Sequence, residues 1–378
     1  MRNRQSGFTM LELIIVMAIF MLVIFSASDM FVSLLTEFKQ QGKIAITNIE
    51  GILGLEMMRR DIEHAGYGLP WDGITAITAY SEITAGTEPA EAVAATLNDA
   101  TLSAPRAILS RDGAGWHGTD HLAIKAANVA MSNTCEKWTL LDKAGVPAPW
   151  TAATDNLKNM DNVIVISQGP TSRTLVPVAA GGFTTTFANI ANFDANRSDT
   201  SIVYGIDPNT APKMPFNRAD YYVEAPASAS DLPTRCAAGT GLLYKAVASQ
   251  AANDAFVDPP MPVLDCVADM QVAYVRLADT NNDGVLERDI TQNITALTAE
   301  EIRTQVREVR VYILAQEGQR DKSYDHPYQP MRVGETSANG GIGDVGRDFD
   351  FVADGSITDW QHYRWKLYIL VAKPVNLR

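Results

Sequence analysis

The feature that most constrains this chain is one apolar run near its start, Leu11 to Ser28, interrupted only by the carboxylate of Glu12. No charged residue and no proline occurs between Leu13 and Ala27. At 1.5 Å per residue, about 18 residues of helix measure roughly 27 Å, close to the hydrocarbon thickness of a bilayer. Residues 11–28 are therefore predicted to form a transmembrane helix.

A short polar leader precedes this run, and its only charged side chains are Arg2 and Arg4. A secretory signal has its small-residue cleavage site after the apolar region, which is then lost. Here the small residue, Gly7, comes before the run. Cleavage between Gly7 and Phe8 would remove residues 1–7 and leave the apolar helix in the mature chain. The new amino terminus would be that of Phe8.

Gly7, Phe8, Thr9, Leu11 and Glu12, followed by hydrophobic residues, resemble the prepilin signal of type IV pilins and type II secretion pseudopilins. The resemblance implies that a prepilin peptidase cuts after Gly7 and methylates the Phe8 amine. It also implies that Glu12 neutralises the Phe8 amine of a neighbouring subunit during assembly.

The position of Glu12 agrees with this reading on physical grounds. An ionised side chain inside a bilayer costs a few kcal/mol and usually has a partner. An α-amino group, with a reference pKa near 8, is mostly charged at neutral pH and would serve. The alternatives are a plain single-span anchor, or a glutamate near enough to the membrane edge to stay hydrated.

The helical pattern continues past the membrane. Proline is absent until Pro70, so one helix is predicted from about Thr9 to about Glu63, on the order of 80 Å long. We expect its first half to lie among other helices and its amphipathic half to pack against a globular head. The apolar residues recurring at steps of mostly three and four are Phe31, Leu34, Leu35, Phe38, Ala45, Ile49, Ile52 and Leu53.

The remaining residues, 65–378, follow the helix segment 8–64 and are predicted to form the head. The chain is 46% hydrophobic and 20% charged, which is typical of a globular protein. Strands after one long helix favour an α+β fold in which an antiparallel sheet packs on that helix. Long loops are expected at Thr84–Asp112 and Asp321–Asp359. The candidate strands are His121–Ala126, Asn162–Ser167, Thr174–Val178, Ser201–Ile206, Gly241–Val247, Met270–Leu277, Glu308–Gln316 and Trp365–Ala372.

The distribution of charged residues indicates which partners the protein can bind and on which side of the membrane the head lies. The net charge is −13, which disfavours binding to nucleic acid and leaves cations as more plausible ligands. Arg2 and Arg4 precede the span, so the positive-inside rule keeps the leader cytoplasmic and places the head in the periplasm. We expect a single-pass inner-membrane protein, surrounded by lipid before assembly, that then enters a pilus or pseudopilus fibre.

The helix exit sharpens the resemblance. Arg59-Arg60-Asp61-Ile62 followed by Ala65-Gly66-Tyr67-Gly68 looks like the same region of PilW-type minor pilins and of the related GspJ-type pseudopilins. The resemblance implies a minor pilin that primes assembly of a type IV pilus or sits at its tip, with other minor pilins and the major pilin as partners. The alternatives are a minor pseudopilin of a type II secretion system, or an adhesin head displayed on a fibre, for which exposed aromatic residues near Trp116, Trp138 and Trp150 would argue.

A second chemical signal is an acidic loop. Asp279, Asn281 and Asp283 supply side-chain oxygens at positions one, three and five, the Val285 carbonyl at position seven and Glu287 at position nine. Hard oxygen ligands at this spacing suit Ca²⁺. A calcium site is therefore predicted, with a solvated hairpin turn as the alternative.

The EF-hand pattern is incomplete in this loop. Its twelfth position is Ile290 rather than glutamate, and Asp289 is the candidate substitute. The loop also follows a predicted strand, so an EF-hand domain is not expected.

The chain has three cysteines, in a region expected to be exported, where disulfides persist. Cys236 and Cys266 flank the predicted strand Gly241–Val247, so antiparallel pairing favours a bridge between them. A Cys135–Cys236 bridge is the alternative. The spacings match no zinc motif.

Motifs for catalysis are weak. The sequence contains no G-x-S-x-G, H-E-x-x-H or Walker A motif. Gly341–Gly346 matches G-x-G-x-x-G without a βαβ context and is predicted to be a flexible loop. His117 and His121 are four residues apart, but the pattern around them predicts a turn and a strand. The chain is therefore expected to be a structural subunit and not an enzyme.

Overall fold

The structure is a computed structural model of the chain. It describes residues 9–72, 80–84, 86, 88–100, 102–179, 181–194, 201–208, 210–226, 228, 230–251, 255–279, 281, 283–327, 330–339 and 342–377, apart from the side chains at 36, 46 and 50.

One long helix, α1, covers Met10–Glu63. Its start is fixed by the N-cap residue Thr9, and no proline interrupts it. At 1.5 Å per residue its 54 residues give a rod of about 80 Å. It ends where Gly66 and Gly68 adopt positive φ angles of 84° and 70°, a conformation that glycine reaches without steric cost. The helix predicted from the sequence therefore forms with the bounds expected.

The head contains short helices and many strands. The further helices are α2 (Pro89–Ala95), α3 (Ala299–Gln305) and α4 (Phe351–Asp354). The strands are β1 (Ile108–Arg111), β2 (His121–Ala126), β3 (Trp138–Leu141), β4 (Pro147–Ala148), β5 (Asn162–Gln168), β6 (Arg173–Leu175), β7 (Thr185–Thr186), β8 (Ser201–Asp207), β9 (Asn217–Glu224), β10 (Gly241–Val247), β11 (Met261–Ala278), β12 (Glu287–Thr291), β13 (Val306–Glu317), β14 (Met331–Glu335), β15 (Val345–Phe349) and β16 (Arg364–Ala372).

These strands form one large sheet, one smaller sheet and a hairpin. The large sheet has the order β1-β2-β9-β10-β11-β13-β16, with β12 pairing to β11. The smaller sheet has the order β4-β3-β8-β5-β6, with β7 pairing to β5, and β14 and β15 form the hairpin. All of these pairings are antiparallel. The predicted α+β fold class is confirmed.

The last third of α1 lies on the large sheet, against β11, β13 and β16. Met58 and Ile62 are fully buried in the main core, together with Tyr221 and Tyr274 of the sheet. Burial of one such aliphatic side chain contributes about 1.5–3 kcal/mol, so these contacts hold the helix end to the head. The residues of α1 on the side facing the sheet are Ile44, Thr47, Gly51, Gly54, Leu55, Met58 and Ile62.

The prediction that the apolar stripe of α1 packs against the head is wrong. Phe31, Phe38, Ile49, Ile52 and Leu53 are exposed, as are the other members of the stripe. The physical reason is that α1 approaches the sheet closely, which requires small residues. Gly51 and Gly54 provide that space, and a search for hydrophobic periodicity does not identify glycines as contact residues.

Two predicted loops contain regular structure. Thr84–Asp112 includes α2 and β1, and Asp321–Asp359 includes β14, β15 and α4. Within the second region, residues 342–344 of the G-x-G-x-x-G segment lie in a loop, as predicted, whereas Val345 and Gly346 begin β15. Gly334 and Gly346 are required there because they face each other across the hairpin, where a Cβ on either would meet backbone atoms.

Candidate functional site

The first candidate site is the start of α1. The Thr9 hydroxyl accepts a hydrogen bond from the Glu12 N–H at 3.3 Å. Glu12 Oε2 in turn accepts bonds from the Thr9 N–H and the Thr9 hydroxyl, both at 2.9 Å. This reciprocal arrangement is a capping box, which satisfies backbone donors that a helix start otherwise leaves unpaired. The carboxylate also lies at the positive end of the helix dipole.

The capping box leaves part of the Glu12 carboxylate free. Both bonds from Thr9 go to Oε2, and within the described residues Oε1 has no hydrogen-bond partner. Gly7 and Phe8, the predicted cleavage and methylation positions, lie outside the described residues. The predicted pairing of Glu12 with the Phe8 amine of another subunit therefore stays a prediction.

The second candidate site is the outward face of α1. Among the described residues, α1 is the one helix long and apolar enough to span a membrane. Beyond the predicted span, large apolar side chains still face outward, with Phe38 76% and Leu53 73% exposed. An exposed apolar stripe of this length on a folded protein marks a contact surface for other molecules.

Polar contacts fix the C-terminal part of α1 against the head. The Tyr221 hydroxyl donates to Asp61 Oδ2 at 2.7 Å, and Lys245 forms a salt bridge with the same oxygen. Burial raises the pKa of Asp61, although Lys245 and the Tyr221 hydrogen bond oppose that rise. Nearer the N-terminus of α1, Lys366 Nζ and the Tyr368 hydroxyl donate to Asn48 Oδ1 at 2.7 Å and 3.2 Å. The head therefore holds a fixed position on the helix.

The third candidate site is the acidic loop between β11 and β12. The carboxylates of Asp279, Asp283 and Glu287 offer oxygens that lie within 4.8 Å of one another. Oxygens on opposite sides of a Ca²⁺ ion, each at 2.3–2.6 Å from it, would be about 5 Å apart, so this group has a suitable size. Asp279 also accepts from the backbone N–H groups of Asp283, at 3.1 Å, and Gly284, at 2.8 Å.

Asn281 and Val285 lie in the same loop. The Asn281 amide nitrogen donates to Asp283 Oδ2 and to Glu287 Oε1, both at 3.1 Å. It therefore bridges two carboxylates, and this amide would have to rotate for its oxygen to reach a metal. The Val285 N–H donates to Asp283 Oδ1 at 2.8 Å, which closes the turn. The calcium site stays a prediction.

One suggested calcium ligand is wrong. Asp289 lies on β12, opposite Arg276 of β11, and its Oδ2 accepts from Arg276 Nε at 2.8 Å. Because strand pairing and this ion pair fix its position, Asp289 does not stand in for the missing twelfth ligand.

Cys236 and Cys266 form a disulfide across 30 residues, the pair favoured from the sequence. Cys135 is a free, buried thiol whose Sγ–H donates to the Ile206 carbonyl at 2.7 Å. Burial raises the pKa of Cys135 to about 12, so this thiol is inert as a nucleophile.

The two histidines do not form a metal pair. His121 is buried on β2, and its Nε2 lies 2.8 Å from Asp220 Oδ2. His117 lies in a turn, with Nδ1 at 3.6 Å from Asp354 Oδ2. The described residues contain one group of three or more histidine, cysteine or carboxylate side chains arranged for a metal, and that group is the acidic loop.

Sequence reasoning missed a buried charged network beneath α2. Arg218 and Lys125 are fully buried, and Arg218 contacts Asp220 and Glu82 at 2.7 Å and 2.8 Å. Lys125 contacts Glu82 and Asp99 at 2.8 Å and 2.6 Å. Asp220 keeps a lowered pKa because Arg218 and His121 outweigh the effect of burial. The alternation of apolar Ala219, Tyr221 and Val223 could have indicated strand β9, but it would have placed Arg218 and Asp220 on the solvent side, so it does not indicate their burial.

The aromatic residues named for the adhesin alternative separate into two places. Trp138 and Trp150 pack together, with ring centroids 4.7 Å apart, and line one cavity. Trp116 lines another cavity, beside His121 and Tyr222.

Within the described residues, the chain therefore has one N-terminal helix that is long and apolar enough to span a membrane, followed by a large head. A family model described as the prokaryotic N-terminal methylation motif matches residues 2–28. This match covers only the start of the chain and indicates a type IV pilin-like or pseudopilin-like prepilin signal; such a signal implies processing by prepilin peptidase and assembly with other pilins. No curated protein and no solved structure matches the chain.

Proposed function

We propose that this protein is a PilW-like minor pilin, a structural subunit that primes a type IV pilus or lies at its tip. The observation that carries the proposal is the two-sided helix α1. One side of its last third is buried against the head, while the other side presents Ile49, Ile52 and Leu53 to solvent. A plain membrane anchor has no need for an apolar stripe beyond the membrane, whereas a helix that packs beside other helices does.

The size of the head supports a low-abundance or tip position. Residues 65–378 carry two sheets and a hairpin on the end of α1. A head of that size on every subunit would be difficult to pack along the shaft of a fibre. A GspJ-like minor pseudopilin at the tip of a type II secretion pseudopilus is the alternative, since it would use the same helix in the same way.

The assembly mechanism follows from Glu12. Before assembly the capping box with Thr9 satisfies one carboxylate oxygen, which makes the acid tolerable at the head of an apolar helix. In the fibre, the methylated amine of Phe8 on a neighbouring subunit would pair with the same carboxylate. The charge–charge contact would set the axial register of the incoming subunit.

The test is Glu12→Ala beside a matched control, Glu37→Ala, which removes an exposed carboxylate from the same helix. We expect both variants to be cleaved and inserted into the membrane, and only Glu12→Ala to be absent from sheared fibres. Normal incorporation of the Glu12→Ala protein would contradict the mechanism.

We also propose that the acidic loop binds Ca²⁺ through Asp279, Asp283 and Glu287. The clustering of the three carboxylates in one tight hairpin supports this. Binding there would neutralise mutual repulsion and stiffen the turn that joins β11 to β12.

A further inference from the structure

A short hairpin brings two tryptophans together on the smaller sheet. Leu140 pairs with Ala148 and Leu141 with Pro147. The same antiparallel register, continued outward, places Trp138 opposite Trp150. Their rings meet edge to face at 76°, an arrangement that aromatic pairs favour.

The backbone around Trp150 is held rigidly. Asn156 Oδ1 accepts from the Trp150 N–H at 2.8 Å, and Asn156 Nδ2 donates to the Trp150 carbonyl at 3.0 Å. The indole Nε1–H of Trp150 donates to the Trp138 carbonyl at 2.6 Å. Trp150 is 39% exposed, and because its only polar side-chain atom is already bonded, the surface it presents is hydrocarbon.

The two tryptophans line a cavity of about 670 Å³. Sites for small ligands have volumes of roughly 300–1,000 Å³ and combine apolar walls with a few polar groups. The charged side chains lining this cavity are two acids, Glu136 and Asp155, and two bases, Lys137 and Lys158. Arg60 of α1 also reaches Glu136, with 3.2 Å between Nη2 and Oε1.

This lining selects a class of ligand. A flat apolar ring surface suits the C–H face of a pyranose. Its hydroxyl groups suit a lining in which lysines donate hydrogen bonds and carboxylates accept them. The two acids and two bases that line the cavity balance each other, so the lining itself provides no net attraction for a phosphate, a sulfate or a polycation. We propose that the cavity beside Trp138 and Trp150 binds a neutral oligosaccharide. This activity of the head is separate from the role of α1 in a fibre.

The experiment uses the full mature chain in a polyoxyethylene detergent, because maltoside detergents present a sugar of their own. A glycan array with neutral and sialylated oligosaccharides is read first, and calorimetric titrations with chitotetraose and maltotetraose follow. We expect saturable binding to neutral glycans that high salt does not weaken, because no ion pair with the ligand is formed.

Variants then test the location. Trp150→Ala should weaken binding by about tenfold or more, and Trp150→Phe should keep most of it, since the ring surface supplies the contact. Asp155→Ala should weaken binding, because Asp155 lines the cavity. It should not affect folding, because the side chain is exposed. The control is Val146→Ala, an exposed residue at the tip of the same hairpin, which should bind normally.

Three results would overturn the proposal. The first is the absence of saturable binding to every neutral glycan by the wild-type chain. The second is binding that neither Trp150→Ala nor Asp155→Ala changes. The third is selective binding of sialylated glycans that high salt abolishes, because that would require a cationic site.

Discussion

Gly54 of α1 lies directly against the carbonyl group of Val263 on β11. A Cβ at position 54 would lie 2.9 Å from the Val263 carbonyl carbon and closer still to its oxygen. Backbone cannot move aside as a flexible side chain can, so this position admits only glycine without displacing the helix. The close approach of α1 to the sheet therefore depends on this contact.

Gly54→Ala is expected to lower the free energy of unfolding of the head by about 1–3 kcal/mol, the usual cost of overpacking. The control is Gly42→Ala in the same helix, where a Cβ meets no atom within 4 Å. That change should be neutral or stabilise by about 0.5–1 kcal/mol, because alanine favours a helix over glycine. Thermal unfolding in detergent, followed by near-ultraviolet circular dichroism, measures both. A Gly54→Ala protein as stable as wild type would contradict the interpretation.

Leu53→Glu is expected to block fibre incorporation without destabilising the head. Leu53 is exposed in the isolated chain, so the charge costs little there, but it would be buried between helices in a fibre. Immunoblots of sheared fibres and of whole cells measure incorporation against expression.

Two further substitutions on α1 serve as references for Leu53→Glu. Glu56→Gln, also exposed, should assemble normally, and Met58→Ala should instead destabilise the head by about 2–5 kcal/mol. If Leu53→Glu enters fibres at the wild-type level, the outward face of α1 is not the assembly surface.

Asp283→Asn is expected to abolish the calorimetric signal of Ca²⁺ binding to the full chain. It removes one of three clustered charges while keeping a side chain of the same shape. Glu300→Gln, a highly exposed acid at the start of α3, should leave the signal unchanged. Wild-type protein that gives no heat with millimolar Ca²⁺ would refute the calcium proposal outright.

Asp120 gives the chain a specific dependence of stability on pH. Burial raises the pKa of this carboxyl to about 7, and Asp112 and Asp269 add to the rise, although the N–H groups of Gly113 and Val272 oppose it. The unfolded chain has a pKa near 3.9 at this position. Because the fold favours the protonated form, Asp120 contributes most stability below about pH 4 and loses that contribution as the pH rises to about 7.

The variant Asp120→Asn should remove this part of the pH dependence. We expect the unfolding free energy of the wild type minus that of the variant to decrease steadily from about pH 4 to about pH 7, because only the wild type loses stability over this range. Denaturant unfolding at a series of pH values measures it. A difference that is constant, or that grows with pH, would contradict the assignment.

Much of the fold was predictable because the strongest signals are local. Thr9, the absence of proline and Gly66 define α1, and alternation in Val309, Val311 and Ile313 defines β13. Strand β9, near the centre of the large sheet, was missed because Arg218 and Asp220 look like surface residues. Both are fully buried and pair with each other, and their other partners, Glu82 for Arg218 and His121 for Asp220, lie far away in the sequence, where no local pattern reports them.

The candidate sites divide in the same way. The start of α1 and the acidic loop could be found because the interacting side chains of each site are neighbours in the sequence. The sequence did not show which side of α1 faces the head. The side with large apolar residues faces outward, where it can contact other molecules, and the side with small residues such as Gly51 and Gly54 packs on the sheet. The contact between Trp138 and Trp150 could not be predicted, because it depends on a hairpin turn at Gly145, where φ is 84°.

The prepilin processing of this protein is tested most directly by mass spectrometry of the native chain extracted from membranes. We predict a mature protein that begins at Phe8, lacks residues 1–7 and carries one methyl group on its amino terminus. A chain that retains Met1 and Gly7 in cells with an active prepilin peptidase would contradict it.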